Sequence, residues 1–312
     1  MMASLMPHCK RCGEKLSGSY VTAMGQSWHA SCFTCTACKK AISAQDFLVF
    51  SERPYHKHCL KCRGCGKTVS GGYIKHNGGA WHSHCYRHQH YPRCSVCRKP
   101  LTRRYLVDFW GDKYCLSHKD FASCASCGRI VCEHLTSGGV QYPDGLLICT
   151  LCGLQGVYTQ ERAEKIVQEM RSALASVGLK LNRAQVPVKL CGRDQLHESS
   201  RHEFHNERPI LGLARWSITT SGGRVVARTF KDILIQTNLS EAHFRTVAIH
   251  ELTHAWFFYN NYRNLPLEVE EGMCVLMEYI WLKNQKTMDA KYRQTVIVKS
   301  SDPIYGDGFR QA

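Results

Sequence analysis

HASCFTCTAC, residues 29–38, decides the fold of the N-terminal part, because it joins two sets of potential metal ligands through a two-residue linker. A Cys-x-x-Cys pair precedes His29 by sixteen residues, and a His-x-x-Cys pair follows Cys38 after seventeen. Tetrahedral zinc takes four nitrogen or sulfur donors, and a Cys-x-x-Cys turn presents two sulfurs to one ion. The spacing therefore predicts two zinc sites in tandem. Their ligands are Cys9, Cys12, His29 and Cys32 for the first, and Cys35, Cys38, His56 and Cys59 for the second.

This arrangement is typical of a LIM domain, which we predict over residues 1–60. One ligand of the second site has a competitor, because His58 also lies close to Cys59. His56 is preferred since it keeps the two-residue spacing to that cysteine.

A second module follows, and it repeats the first with an offset of 53 residues. The repeat keeps the cysteines, the glycines and a Trp-His pair, which indicates that the same metal-organised unit is used twice. We predict a LIM-like domain over residues 61–120 with two further zinc sites. Their ligands are Cys62, Cys65, His82 and Cys85, then Cys94, Cys97, Cys115 and His118. Eight residues, 86–93, form an insert between these two fingers. His88 and His90 within it could substitute for a zinc ligand but are interpreted as surface residues.

A third cysteine cluster predicts a zinc-ribbon-like module over residues 121–156. Its ligands are Cys124, Cys127, Cys149 and Cys152. Cys132 and His134 lie inside the loop. They could be alternative ligands but are interpreted as residues that pack or face solvent. Since protein atoms fill all four positions of each of these five sites, their zinc is expected to be structural. The modules are expected to form a platform for protein interactions.

Composition limits the location and the partners. The chain has 19 cysteines, and most lie in Cys-x-x-Cys pairs mixed with histidine, which favours zinc thiolates in a reducing compartment. The start of the chain has no secretory signal pattern, and no run of eighteen apolar residues occurs. We therefore expect a cytoplasmic or nuclear protein without a membrane span.

The net charge of +16 needs correction for the metal sites. Residues 1–158 hold 20 Lys and Arg against 8 Asp and Glu, and sixteen thiolates with five Zn²⁺ reduce their formal charge from +12 to +6. Such a surface attracts acidic proteins or nucleic acid. The sequence has no predicted DNA-recognition helix and no RNA-binding motif of aromatic and basic residues. Nucleic acid is therefore not an expected partner.

The C-terminal part changes character after Cys152. Residues 159–177 follow a helical period, with Thr159 as the N-cap and Gly178 as the stop. Short β-rich runs occur at 186–190, 214–219, 224–230 and 232–237. We predict an α+β domain over residues 157–312, which makes the chain an α+β multidomain protein with small zinc-stabilised β modules in front.

The next predicted helix carries the chemistry. It begins after Ser240, a predicted N-cap, and contains HELTH at 250–254. His250 and His254 are four residues apart, so both imidazoles project from one face and can hold one metal ion. Glu251 lies beside the first ligand, where it can act as the general base for the attacking water. His243, near the start of this helix, is expected to face solvent.

A third ligand is predicted on a second helix that begins at Pro266. Glu271, separated from His254 by sixteen residues, completes a two-His-one-Glu set with one open position. Glu270 is the alternative and Glu268 a weaker one, since acidic residues also favour a first helical turn. Tyr305 is a candidate donor to the oxyanion, although a tyrosine in a surface turn is the competing interpretation.

The combination of modules resembles one family, the ubiquitin-activated LIM-domain peptidases that restrict organ growth in plants. The resemblance rests on HELTHAW at 250–256, YRNLPLEVEEG at 262–272 and DPIYGDGFR at 302–310. It implies a gluzincin-like endopeptidase that cleaves regulatory proteins and is stimulated by its own ubiquitination. Ubiquitin or ubiquitin ligases are then expected partners. Plant members carry ubiquitin-interacting helices before the LIM domain, whereas the LIM pattern here begins at Cys9.

Two functions remain open at this stage. The first is an active peptidase with six zinc ions, five structural and one catalytic, whose LIM modules dock substrates or regulators. The second is a LIM scaffold with an inactive or self-inhibited peptidase fold. The complete ligand set and Glu251 favour the first.

Overall fold

A computed structural model describes residues 7–43, 45–143, 145–182, 184–200, 210–262 and 265–312. Of the sequence stretches used above, the residues before Pro7 and Arg263–Asn264 lie outside the described residues. The chain divides into two compact units. The smaller comprises residues 1–94 and 98–105, and the larger comprises residues 95–97 and 106–312.

The smaller unit is a row of zinc-finger hairpins. Their strands are β1 (Tyr20–Ala23), β2 (Gln26–His29), β3 (Phe47–Phe50), β4 (Arg53–His56), β5 (Tyr73–His76) and β6 (Gly79–His82). Each hairpin turns through two residues in the left-handed region, as at Asn77 (φ 47°) and Gly78 (φ 69°). Such turns match the twist of antiparallel strands, which explains the Asn-Gly pair at that point.

The linkers between the fingers hold the small cores. Phe33 lies in the linker after Cys32 and is fully buried against Trp28 and Phe47, with ring centroids 5.7 and 5.1 Å away. Leu60 occupies the matching place in the next linker, and it is buried. The two-residue linker thus recurs between Cys59 and Cys62.

Residues 86–93, predicted as an insert, mostly belong to a helix. It is α1 (Ser83–His90) and it starts directly after β6. His90 packs its ring against Trp81 and Tyr86 at 5.0 and 4.5 Å, while His88 contacts Arg93. Both histidines are exposed.

The larger unit opens with two hairpins and short helices, and only the first residue of its first strand, Tyr105, is counted with the smaller unit. These elements are β7 (Tyr105–Val107), β8 (Lys113–Cys115), a 3₁₀ turn (Leu116–His118), α2 (Glu133–Thr136), β9 (Gly139–Gln141), β10 (Leu147–Cys149) and α3 (Thr150–Gly153). β9 and β10 pair antiparallel and carry the predicted zinc ribbon.

A three-stranded sheet with helices follows. Its elements are α4 (Gln160–Ser176), β11 (Val188–Cys191), α5 (Arg193–Ser200), β12 (Gly212–Ser221), β13 (Arg224–Gln236), α6 (Glu241–Tyr259), α7 (Leu267–Lys283), α8 (Met288–Lys299), a π-helical turn (Pro303–Asp307) and α9 (Gly308–Gln311). β13 lies in the middle, parallel to β11 and antiparallel to β12.

One continuous core joins the ribbon to the sheet and its helices. Ile148 and Cys149 of the ribbon belong to the same buried cluster as Ile166 of α4, Ile233 of β13 and Leu252 of α6. The structure thus shows small zinc-binding modules with short strands followed by a mixed α/β region, as predicted. Among the described helices, none combines the length and apolar character needed to cross a membrane.

Two local expectations differ from the structure. Ser240 occupies the N-cap position of α6, but its side chain makes no capping hydrogen bond. The next backbone group, the Glu241 N–H, donates to the Gln155 carbonyl at 3.0 Å. The two β-rich runs at 224–230 and 232–237 form a single strand. Asp232 does not interrupt it, since Arg215 and Lys189 neutralise this buried carboxylate at 2.7 and 2.8 Å.

Candidate metal centres and active site

The Cys/His sets of the smaller unit have the spacing that tetrahedral zinc requires. Zn–S and Zn–N bonds of about 2.3 and 2.0 Å place neighbouring ligand atoms about 3.5–3.8 Å apart. The observed separations are 3.4 Å for Cys12 Sγ to His29 Nδ1, 3.3 Å for Cys38 Sγ to His56 Nδ1 and 3.4 Å for Cys65 Sγ to His82 Nδ1. The three complete sets are those predicted: Cys9, Cys12, His29, Cys32; Cys35, Cys38, His56, Cys59; and Cys62, Cys65, His82, Cys85.

Backbone groups orient these histidines. His56 Nε2 lies 3.1 Å from the Ala41 carbonyl, and His82 Nε2 lies 3.1 Å from the Thr68 carbonyl. Because the carbonyl can only accept, Nε2 carries the proton and Nδ1 is left as the metal donor. His58, the competitor of His56, stacks on it at 5.1 Å and lies outside the ligand set.

The ribbon ligands Cys124, Cys127, Cys149 and Cys152 come together in the larger unit, and all four are buried. Cys127 and Cys149 have their sulfurs 3.8 Å apart, the distance of a tetrahedral edge. The remaining predicted set consists of Cys94, Cys97, Cys115 and His118. Cys94 belongs to the smaller unit and the other three residues to the larger unit. Within the larger unit, Cys115 Sγ lies 3.1 Å from His118 Nδ1 and 3.9 Å from Cys97 Sγ. Several structural zinc sites are therefore present.

The candidate catalytic ligands meet between α6 and α7. His250 and His254 lie on one face of α6, with ring centroids 5.1 Å apart. Glu271 on α7 reaches both imidazoles, with its carboxylate oxygens 3.0 Å from His250 Nε2 and 3.6 Å from His254 Nε2. All three side chains are largely buried. Two imidazoles and one carboxylate thus converge on a single point.

The other ring nitrogens of both histidines contact carboxylates too. Glu278 lies 2.7 Å from His250 Nδ1, and Glu270 lies 2.9 Å from His254 Nδ1. An Nδ1–H that donates to a carboxylate leaves Nε2 with its lone pair and fixes the ring. Glu270, the alternative third ligand, therefore contacts the outer nitrogen of His254, while Glu268 is exposed.

Glu251 is buried next to the convergence point. The Ala214 N–H of β12 donates to its carboxylate at 2.8 Å. The chain passes very close here, because a Cβ added at Gly212 would lie 2.7 Å from the Glu251 carboxylate. Burial raises the pKa of Glu251 above its ordinary value, partly offset by the neighbouring imidazoles.

The donor set fits a divalent cation. Burial would raise the pKa of Glu271, but its hydrogen bonds to His250 and His254 lower it overall, so the carboxylate is ionised. Four carboxylates, Glu251, Glu270, Glu271 and Glu278, surround two imidazoles in a space with little access to water. Burial alone would lower the pKa of His250 and His254, but the neighbouring acidic groups raise it above the usual value. Positive charge is therefore favoured at this point, and a bound cation or protonated imidazoles can supply it. Nitrogen and carboxylate donors of this kind suit zinc.

Tyr305 lies at the edge of this site. Its ring centroid is 6.3 Å from that of His250, and the side chain is half-buried. Burial, followed by the charge of Glu271, raises the pKa of Tyr305 to about 12, so the hydroxyl remains a donor at neutral pH.

The prediction that His243 faces solvent was wrong. This residue is buried, and its Nδ1 lies 2.9 Å from the Ser126 hydroxyl of the ribbon. Burial and the nearby Arg293 guanidinium lower the pKa of His243 well below its usual value. The contact joins the start of α6 to the zinc ribbon.

Glu278 is the site residue that sequence reasoning missed. It lies seven residues after Glu271, which places both on one face of α7. This i, i+7 spacing could have suggested that both carboxylates face the same histidine. The buried Cys274 lies between them in sequence on the same helix.

Comparison with known proteins finds two family models that match parts of this chain. Residues 206–302 match the family described as DA1-like (Protein DA1), and residues 9–60 and 35–87 match the LIM domain. The second LIM match spans the linker between Cys59 and Cys62.

Three plant relatives illustrate the similarity. LIM domain-containing protein HDR3 of Oryza sativa subsp. japonica is 25% identical over 89% of the chain and 56% of its own length. For Arabidopsis thaliana, Protein DA1-related 1 is 27% identical over 89% of the chain and 51% of its length. Protein DA1 is 24% identical over 97% of the chain and 63% of its length. The chain thus spans little more than half of these curated relatives.

Proposed function

Because this chain belongs to the family of DA1-like proteins with LIM domains, we propose that it is a zinc-dependent endopeptidase that cleaves regulatory proteins. The LIM and DA1-like regions fit a regulator of growth. LIM domains generally mediate protein–protein interactions, and the zinc modules serve as the docking or regulatory platform of the peptidase.

One observation carries the proposal. His250 Nε2 and His254 Nε2 converge on the Glu271 carboxylate, with Glu251 buried beside them. A structural zinc site would fill its fourth position with a further protein ligand, whereas two histidines and one glutamate leave a position for substrate. A general base adjacent to the first ligand is what hydrolysis requires.

Zinc bound by these three residues would polarise the scissile carbonyl and lower the pKa of the attacking water. The chain supplies the proton transfers. Glu251 accepts the proton of the water and delivers it to the leaving amine. The Ala214 N–H holds the Glu251 carboxylate in place at 2.8 Å. Tyr305 donates a hydrogen bond to the oxyanion that develops on the carbonyl.

β12 provides a place for the substrate backbone. In the described part of the sheet it is the outer strand, and Ala214 on it adjoins Glu251. An extended peptide can pair with such an edge through main-chain hydrogen bonds. In this mode of binding the main-chain hydrogen bonds supply affinity, and side-chain pockets would supply any sequence preference.

Ubiquitination is proposed as the activating signal. This part rests on the family resemblance of residues 250–256, 262–272 and 302–310. Zinc thiolates in the front modules favour a reducing compartment, the cytosol or the nucleus, where ubiquitin ligases act.

The test compares Glu251→Gln with the wild-type chain, both mono-ubiquitinated in vitro, on fluorescein-labelled casein. We expect the variant to keep its zinc and to lose at least about 100-fold in rate, since a general base contributes roughly 10²–10⁴. Glu268→Gln, an exposed change on α7, is the matched control and should cleave like wild type. Equal cleavage by Glu251→Gln would remove Glu251 as the base, and an inactive wild type would favour the scaffold function.

A further inference from the structure

The positive charge of the chain is concentrated in one stretch. From Arg53 to Val107 the sequence has twelve Lys and Arg and no Asp or Glu. All twelve of these side chains are exposed in the structure, and all lie in the smaller unit. Ordinary surfaces mix both signs, so an acid-free stretch of this length requires an explanation.

The two units differ sharply in charge. The smaller has 17 Lys and Arg against three acids, formally +14, whereas the larger has 24 against 22, formally +2. Three thiolates and one Zn²⁺ in each of its three complete sites lower the smaller unit only to +11. Metal binding therefore does not neutralise it.

The unit cannot balance this charge from within. Its only acids are Glu14, Asp46 and Glu52. Asp46 pairs with Lys57 at 2.7 Å, and both side chains are well exposed, so the pair is weak. Most of the cations thus lack an acidic counterpart in their own unit. Such a field attracts anionic partners over a Debye length of about 8 Å at physiological salt.

A pocket of about 840 Å³ lies within this surface, beside α1. It is lined by Arg87 and Arg93 together with His84, His88 and Gln89. Among the described residues that line it, none is acidic. The Arg93 guanidinium is held against the His88 ring and carbonyl at 2.8–3.2 Å. Two guanidinium groups in a concave site provide the forked donors that bind carboxylates in pairs.

We propose that this pocket and the surrounding basic surface of the smaller unit dock an acidic segment of a protein, with Asp or Glu side chains seated at Arg87 and Arg93. A duplex nucleic acid is convex and does not enter such a pocket. Single strands bind mainly by stacking on aromatic platforms, and the described lining residues offer the imidazoles of His84 and His88 but no Phe, Tyr or Trp. The LIM match, which covers residues 35–87, also favours a protein partner.

Binding of a fluorescein-labelled peptide of twelve residues with alternating Glu and Gly tests this proposal. Anisotropy titrations of this chain would compare the acidic peptide with a Gln-Gly peptide and with a twelve-nucleotide single-stranded DNA. Arg87→Glu with Arg93→Gln lowers the net charge of the pocket by three. Lys40→Glu with Lys10→Gln lowers the net charge of the first two fingers by the same amount.

We expect the acidic peptide to bind at least tenfold more tightly than the Gln-Gly peptide and the DNA. The Arg87→Glu, Arg93→Gln variant should lose about tenfold or more in affinity for the acidic peptide. The Lys40→Glu, Lys10→Gln control should lose less than threefold. Arg87→Glu alone should lose severalfold in affinity for the acidic peptide. Because Arg87 is exposed, this single variant keeps the test valid if the double variant misfolds. Equal losses in both double variants, or tighter binding of the DNA, would overturn the proposal. The readout needs no cleavage, so it is independent of peptidase activity.

Discussion

At the scale of single residues, the outer carboxylates explain how the two histidines proposed as metal ligands are held. The Glu278 carboxylate lies 2.7 Å from His250 Nδ1, the ring nitrogen that faces away from Glu271. Replacing Glu278 by Gln removes the negative charge that makes the imidazole a stronger metal ligand. We predict that Glu278→Gln weakens binding of the catalytic zinc by about 10–100-fold. Competition with a graded zinc chelator, followed as loss of one zinc per chain, measures the change.

Glu268→Gln provides the comparison for this prediction, because Glu268 is exposed on the same helix. It should leave zinc affinity unchanged. If Glu278→Gln binds all its zinc as tightly as wild type, Glu278 has no role in holding His250.

Residue spacing predicts some of these contacts and not others. An i, i+4 pair on a helix must share a face, so His250 and His254 could be placed together from sequence. Glu270 and Glu271 could not be told apart, because both lie near the start of α7 and contact opposite nitrogens of His254. His243 was misplaced because its partner, Ser126, is 117 residues away in the chain.

At the scale of elements, the position of α7 depends on a close contact between two glycines. A Cβ added at Gly272 would lie 2.4 Å from the Gly308 backbone of α9, which cannot give way like a side chain. We predict that Gly272→Ala destabilises the chain by about 1–3 kcal/mol, the usual cost of overpacking. Urea unfolding followed by circular dichroism measures the loss.

Gly192→Ala is the matched control, since nothing lies within 4 Å of a Cβ at that position. Gly192→Ala should leave the free energy of unfolding unchanged or raise it by up to about 1 kcal/mol, because alanine lowers the conformational entropy of the unfolded chain. Similar midpoints for the Gly272 and Gly192 variants would mean that α7 and α9 are not in close contact.

The predicted elements were accurate where local signals agree. α4 spans Gln160–Ser176, and the Thr159 hydroxyl accepts from the Arg162 N–H as an N-cap, so that prediction is confirmed. The strands were less accurate, because long-range pairing decides them. Asp232 would interrupt a strand by propensity, yet the ion pair with Arg215 of β12 lets β13 continue through it.

At the scale of the whole molecule, the ribbon cysteines share one core with the sheet and helices of the larger unit. Cys127 is buried in the cluster that includes Ile166 and Ile233, and its carbonyl accepts from Trp110 Nε1 at 2.8 Å. We predict that Cys127→Ser, which removes a zinc ligand, opens the larger unit to limited proteolysis. Structural zinc sites contribute their binding energy directly to folding.

Cys38→Ser breaks a zinc set of the smaller unit and serves as the control. The larger unit should remain resistant in that variant. Unchanged protection in Cys127→Ser would show that the ribbon folds apart from the core. Spacing alone did not reveal this shared core, because a zinc ribbon can fold by itself once its metal binds.

The catalytic ligand set is tested most directly by counting zinc in purified protein by mass spectrometry under native conditions. Wild type should hold six ions, five in the Cys/His modules and one between His250, His254 and Glu271. The double variant His250→Ala with His254→Ala should hold five while its front modules remain folded. Six ions in that variant would contradict the assignment of these residues as a metal centre.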